Sequence, residues 1–372
     1  MSGTTPPLPG RGAAHNPPNR FVPLWHEPDP EDLEAGGPLP KTQFFRDDAR
    51  SVITRNDSPD IGFERSLNPY RGCEHGCIYC YARPTHEYLG FSAGLDFETR
   101  ILVKEDAPEL LRRELSSQRW EPGTLVMSGV TDCYQPIERR LLLTRRCLEV
   151  LADFRNPVAV ITKNHLVTRD IDILQDLARH RAAAVYVSIT TLDSSLHRVM
   201  EPRTSSPERK LETIRELAAA GIPAGVMAAP VIPGLTDHEL PGILEAAARA
   251  GARQAGYVLL RLPHAVAPLF EDWLSSHFPD RKEKVLNRIR AVRGGKLNDP
   301  RFGSRMKGEG IFAEQIAGMF AVASRRAGFE KRALELSTSA FRNPRGRQLD
   351  LFEEAARPGK ESEPRPTDRP LE

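Results

Sequence analysis

The chain has 372 residues, of which 40% are hydrophobic and 27% charged, and a formal net charge of +2. That is enough for one large domain or two ordinary ones with a well-buried core. No apolar run reaches the ~18 residues of a membrane span: the best candidate, IPAGVMAAPVIPGL (222–235), is broken by three prolines. The N-terminus has no basic-then-apolar secretory pattern, so a cytoplasmic protein without a membrane partner is expected.

Residues 1–45 read as a Pro-rich extension. Ten of the 32 prolines fall within the first 40 residues, which predicts extended chain without a core of its own. The stretch TQFFRDDARSVITRN (42–56) is suited to pack on the main domain. A first strand is expected near GFERSLNPY (62–70). Then strands at GTLVMSG (123–129), PVAVIT (157–162), AAVYVSIT (183–190), PAGVMAAPV (223–231) and AGYVLLRLP (255–263) alternate with helices. The helices are expected at 138–154, 169–181, 207–221 and 236–251; the third has Pro207 at its start and Gly221 at its stop. Continuous apolar strands alternating with long helices mean a parallel sheet covered on its faces. Six of them over 46–275 make an incomplete (β/α)6 TIM-like barrel. Polar residues gather at the strand ends, namely Thr131 and Asp132, Thr162 and Lys163, Ser188 and Thr190, and Arg261. In such barrels that edge carries the chemistry.

Residues 276–346 read as a basic helical region. Within it, 281–307 holds ten Lys/Arg against Glu283 and Asp299, which suits either a phosphate backbone or a solvated face. Residues 347–372 are polar and Pro-rich and are expected to be a disordered tail.

Three of the five cysteines lie in one segment, NPYRGCEHGCIYCYAR (68–83), as Cys73, Cys77 and Cys80. Clustered cysteines of this kind hold metal more readily than they build a disulfide framework. Three thiolates on one tight loop can ligate three corners of an iron–sulfur cubane and leave the fourth iron open. The alternative is a structural zinc or redox-sensing site, with His75 or His86 as fourth ligand, although the paired C-x2-C knuckles of such sites are absent. Cys147, on an apolar helix face, reads as core.

The C-x3-C-x2-C spacing after a first barrel strand, with aromatic Tyr79 before the third cysteine, resembles the signature of the radical S-adenosylmethionine (SAM) enzymes. The resemblance covers roughly residues 65–265. It implies a 4Fe–4S cluster whose open iron chelates SAM, and reductive SAM cleavage to a 5′-deoxyadenosyl radical that abstracts hydrogen. It also implies a reductant such as flavodoxin or ferredoxin. For the SAM site it points to Tyr79, Thr131, Asp132, Lys163, Ser188 and Arg203, with backbone near Ala228 and Ala229 facing the adenine. The segment MSGVTDCYQPIE (127–138) departs from the Gly-Gly-Glu common at the second strand.

CIYCYA (77–82) further resembles the spore photoproduct lyases, which place a tyrosine on each side of the third cysteine and act on DNA. That likeness makes Tyr79 and Tyr81 candidates for a hydrogen-return path. It extends to a lyase-like bacterial group of unassigned reaction through SGVTDCYQPIE (128–138) and FGSRMKGEG (302–310). The lyases carry a hydrogen-donating cysteine at the end of the second strand. This chain has Ser128 and Gly129 there, and its nearby thiol is Cys133, the remaining catalytic candidate. In the tail, Gln348–Phe352 (QLDLF) resembles the peptide by which repair proteins dock on the bacterial sliding clamp. Together these features point to nucleic acid, with DNA favoured, against the alternatives of RNA or protein as substrate.

Overall fold

Six short strands align as parallel neighbours in the computed structural model, which describes residues 6–22, 40–330 and 334–344. The strands in chain order are β1 (Gln43–Arg46), β2 (Ile53–Arg55), β3 (Arg65–Leu67), β4 (Tyr70–Arg71), β5 (Arg100–Val103), β6 (Leu125–Met127), β7 (Val158–Thr162), β8 (Ala183–Ser188), β9 (Ala224–Val231) and β10 (Gln254–Leu259). The main sheet runs β10-β9-β8-β7-β6-β3-β2. It is parallel from β3 to β10, and β2 lies antiparallel on the far side of β3. The two edge strands, β2 and β10, do not pair, so the barrel is incomplete, as expected. A smaller sheet, β1-β5-β4, stands beside it.

The central strands are buried because helices cover them. Val158, Val160, Val185, Val187 and Val226 are all inaccessible, packed with Leu148 and Leu151 of the helix Leu143–Phe154 and with Ile214 and Leu217 of the helix Pro207–Ala219. Each such side chain contributes about 1.5–3 kcal/mol by leaving water. Pro207 opens its helix as predicted, with the Ser206 hydroxyl accepting from the Arg209 amide at 3.3 Å.

The helix expected at 138–154 is two pieces, Glu138–Leu141 and Leu143–Phe154, with Leu142 between them at φ 54°. The buried Glu138 carboxylate explains the break. It accepts from the Thr144 amide at 3.0 Å and from the Tyr70 hydroxyl at 2.5 Å, so it caps the second helix from within the first.

The expected boundary at 45/46 falls inside β1, whose pairing with β5 ties the N-terminal segment to the small sheet. The C-terminal region shares the cores: Val292, Ala313 and Ile316 join the main cluster, and Val285, Leu286 and Ile289 a second one. Its basic stretch is partly a set of fasteners. Arg293 is buried and donates to the Leu259, Leu260, Ser304 and Arg305 carbonyls. Arg305 pairs with Asp60 at 2.5 Å, and Lys307 donates to the Tyr257 carbonyl at 3.0 Å. Arg281, Lys284 and Lys296 remain at least partly exposed. No helix among the described residues is long and apolar enough to cross a membrane. Gln348–Phe352 lies outside the described residues.

Candidate active site

The cysteine loop leaves β4 at Arg71 and ends at the short helix Arg83–Leu89. Gly76 takes φ +68°, where a Cβ would lie 2.8 Å from the Glu98 carboxylate, so this turn requires glycine. Cys73 and Cys77 are buried, Cys80 is partly exposed, and none is disulfide-bonded. Burial pushes all three thiols up. The Arg83 amide donates to the Cys80 carbonyl at 3.2 Å.

The loop is held from several sides. Arg83, fully buried, donates to the Cys77 carbonyl at 3.0 and 3.1 Å and pairs with buried Glu98 at 2.5 Å. Glu98 also accepts from the amides of Gly12 and Ala13, at 3.1 and 2.8 Å, so the N-terminal segment closes over the loop. The contact is tight: a Cβ on Gly12 would meet the Gly76 carbonyl oxygen at 1.7 Å. Gly12→Ala is therefore expected to cost about 1–3 kcal/mol and to lower the iron retained after reconstitution. Wild-type melting temperature and iron content in that variant would refute the contact.

His86, behind the loop, donates from Nε2 to the Arg100 carbonyl at 2.9 Å, while its buried Nδ1 has no partner. Burial pushes its pKa down from 6.5 to about 4. The unfolded chain thus binds a proton that the folded one refuses. Stability should fall as pH drops from about 6.5 to about 4, and His86→Phe should flatten that part of a melting-temperature profile. An unchanged profile in the variant would assign the slope to other groups.

On the opposite rim, the hydroxyl of Thr131 donates to the Tyr70 carbonyl at 2.7 Å. Asp132 accepts from Thr162 Oγ1 at 2.9 and 3.1 Å, from the Tyr134 amide at 2.9 Å and from the Lys163 amide at 2.8 Å. His75 Nδ1 stands 3.4 Å from it, and His75 Nε2 meets Asn164 at 3.1 Å. Burial alone would raise the Asp132 pKa; His75 and these amides hold it below the usual carboxylate value. Arg203 pairs with Glu74 at 3.2 Å, and its amide donates to the His75 carbonyl. Asp132 and Arg203 thus fasten the cysteine loop to the strand ends. Ser188 ends β8, buried and opposite Met227.

Lys163 leads to a residue that no sequence motif marks. Its Nζ donates to the Ala229 carbonyl at 2.9 Å and lies 3.4 Å from Glu201, which is fully buried. Glu201 also pairs with buried Lys210 at 2.5 Å, accepts from Thr190 at 2.7 Å and takes the Tyr79 hydroxyl. Burial would raise the Glu201 pKa, but Lys163, Lys210 and His197 hold it well below its usual value. The Tyr79 hydroxyl is thus engaged inside the protein. Tyr81 is 47% exposed and donates to the Gly129 carbonyl at 2.7 Å, spanning from the loop to the end of β6. Cys133 is inaccessible and packs in the main core with Tyr134 and Cys147.

One tetrahedral zinc would gather its thiolates to roughly 3.8 Å, given Zn–S near 2.3 Å. Among the described residues, the only three or more His, Cys, Asp or Glu ligand atoms within 4.8 Å of one another are those of His165, Glu212 and Glu216, and Glu212 is paired with Arg209. The three cysteines are more widely spread, and both His75 nitrogens are engaged. Three unbridged thiols on one loop, each able to take a separate iron, are a donor set that fits a cubane.

Residues 67–247 match the family model described as the radical SAM superfamily. This segment is a radical SAM domain. Such a domain implies a 4Fe–4S cluster and SAM. An uncharacterized protein of Mycobacterium tuberculosis is 38% identical over 222 residues, 59% of this chain. The chain spans 65% of that relative's length. A radical SAM Nalpha-GlyT isomerase of Pseudomonas phage M6 is 24% identical over 220 residues, 58% of this chain and 44% of the isomerase. In structure, the chain resembles spore photoproduct lyase complexed with dinucleoside spore photoproduct. The TM-score is 0.55 at 16% identity, over 77% of this chain and 80% of that one, a likeness of fold.

Proposed function

We propose that the chain is a radical SAM enzyme acting on nucleic acid, with DNA favoured. The observation that carries the enzymatic reading is the loop of three unbridged cysteines within a radical SAM domain. Cys73, Cys77 and Cys80 would hold the cluster. Charged with one electron by an external reductant such as flavodoxin or ferredoxin, it would supply the chemistry that splits SAM into methionine and a 5′-deoxyadenosyl radical able to take a hydrogen atom from the substrate. Lys163, Ser188 and the backbone at Ala228 and Ala229 face SAM. Thr131, Asp132 and Arg203 keep the loop in register with the strand ends, and Tyr79 anchors it through Glu201. Tyr81, as the exposed tyrosine beside the loop, is the candidate for returning the hydrogen.

The nucleic-acid part of the reading rests on the CIYCYA segment, on the fold shared with spore photoproduct lyase, and on the exposed cations of 281–296. The test is the rate of 5′-deoxyadenosine formation with ultraviolet-irradiated DNA, intact DNA, RNA or protein added to the reconstituted enzyme. Stimulation by DNA supports the reading. Stimulation by protein alone would replace it.

A further inference from the structure

Arg261 follows β10 at the C-terminal edge of the sheet, and its guanidinium lies 5.5 Å over the ring of Tyr81. Its Nε is buried with no hydrogen-bond partner, and among the described residues its side chain makes one hydrogen-bond contact, from Nη1 to the Met306 sulfur at 3.7 Å. No carboxylate among the described residues pairs with it. Asp60, which acts on it at a distance, is engaged by Arg305 at 2.5 and 2.7 Å and by the Gly303 amide at 3.2 Å. A second cation, Arg305, therefore stands close to Arg261, and burial together with this neighbour pushes the Arg261 pKa down.

A half-buried guanidinium without an anion is costly to maintain, because it has given up water for a weak sulfur contact and an aromatic face. The strand end next to it, at Ala229, has its carbonyl bonded by Lys163 and Thr190, so that neighbouring polar group is satisfied within the protein. Among the described residues no anion meets this guanidinium, so an arriving anion finds it unengaged. A planar fork of donors beside an exposed tyrosine matches a phosphate oxygen pair with a base alongside.

We propose that Arg261 is the anchor for a phosphate group of the substrate, placing the neighbouring nucleotide over Tyr81 beside the cysteine loop. This rests on the nucleic-acid reading above and names the residue that holds its backbone.

The test is binding of a fluorescein-labelled oligothymidylate to reconstituted wild type and to Arg261→Gln across a range of salt, with Arg249→Gln, an exposed arginine outside the basic stretch, as the surface control. Inorganic pyrophosphate competition and SAM affinity are measured alongside. Arg261→Gln is expected to weaken oligonucleotide binding at least about fivefold and to reduce the slope of log K against log salt by about one, with Arg249→Gln changing affinity much less. Equal affinity and slope in wild type and Arg261→Gln would overturn the anchor while leaving the nucleic-acid reading standing. If the wild type binds no oligonucleotide but binds pyrophosphate through Arg261, the nucleic-acid reading falls and the phosphate site stands. A loss confined to SAM affinity would assign Arg261 to the cofactor and overturn the proposal.

Discussion

Cys77→Ser is expected to abolish the brown chromophore of the anaerobically reconstituted protein and to reduce 5′-deoxyadenosine formation to background. A cubane held by three thiolates has no protein ligand to spare. The Cys77 position is also tightly constrained, because the guanidinium of Arg83 grips its carbonyl through two nitrogens and both residues are buried. The hydroxyl of serine is a harder, more basic ligand and does not replace the thiolate for iron. The loss should come without unfolding, since Cys77 contributes a small side chain to a cluster also containing Trp273, Phe270 and Leu274. Iron content and the far-ultraviolet spectrum of the same sample separate the two effects. Retention of full iron content and SAM cleavage in Cys77→Ser would remove this residue from the ligand set.

Glu201→Ala is expected to be the most damaging substitution outside the cysteines. It would leave Lys210 fully buried without its partner at 2.5 Å and remove the acceptor of Thr190 and Tyr79 at one stroke. Breaking one member of a buried pair costs about 3–5 kcal/mol, whereas replacing both by apolar groups is often neutral. Denaturant unfolding should therefore show a large loss for Glu201→Ala and recovery of most of it in Glu201→Leu with Lys210→Met. Because Tyr79 precedes the third cysteine, the single variant should also lose iron more readily than the wild type. A single variant as stable as the wild type would mean that Lys210 finds water or another partner, and the network would lose its place in the account.

The cysteine loop and the strands were legible because both signals are local. Three cysteines in eight residues need no tertiary contact to be noticed, and runs such as PVAVIT and AAVYVSIT carry their burial in their composition. The residues that steady the loop were not legible. Glu201 and Lys210 look like surface residues on a helical stretch, and only the packing of the helix Pro207–Ala219 against the segment after β8 turns them inward. Gly12 sits in a Pro-rich segment that composition assigns to a loose extension, yet its backbone lies against Gly76. Arg293 and Arg305 counted toward a basic patch because charge can be summed along a sequence, while their carbonyl and carboxylate partners are brought by β10 and by Asp60. Cys133 invited a catalytic role by standing beside Asp132, but its side chain lies in the core.

The central claim is that the loop of Cys73, Cys77 and Cys80 is a radical-generating site rather than a scaffold. The direct measurement is 5′-deoxyadenosine released by the wild-type protein after anaerobic reconstitution with iron and sulfide, chemical reduction and addition of SAM. The account predicts 5′-deoxyadenosine that depends on the reductant and on all three cysteines. A protein that takes up zinc in place of iron, and leaves SAM intact under reducing conditions, would contradict it.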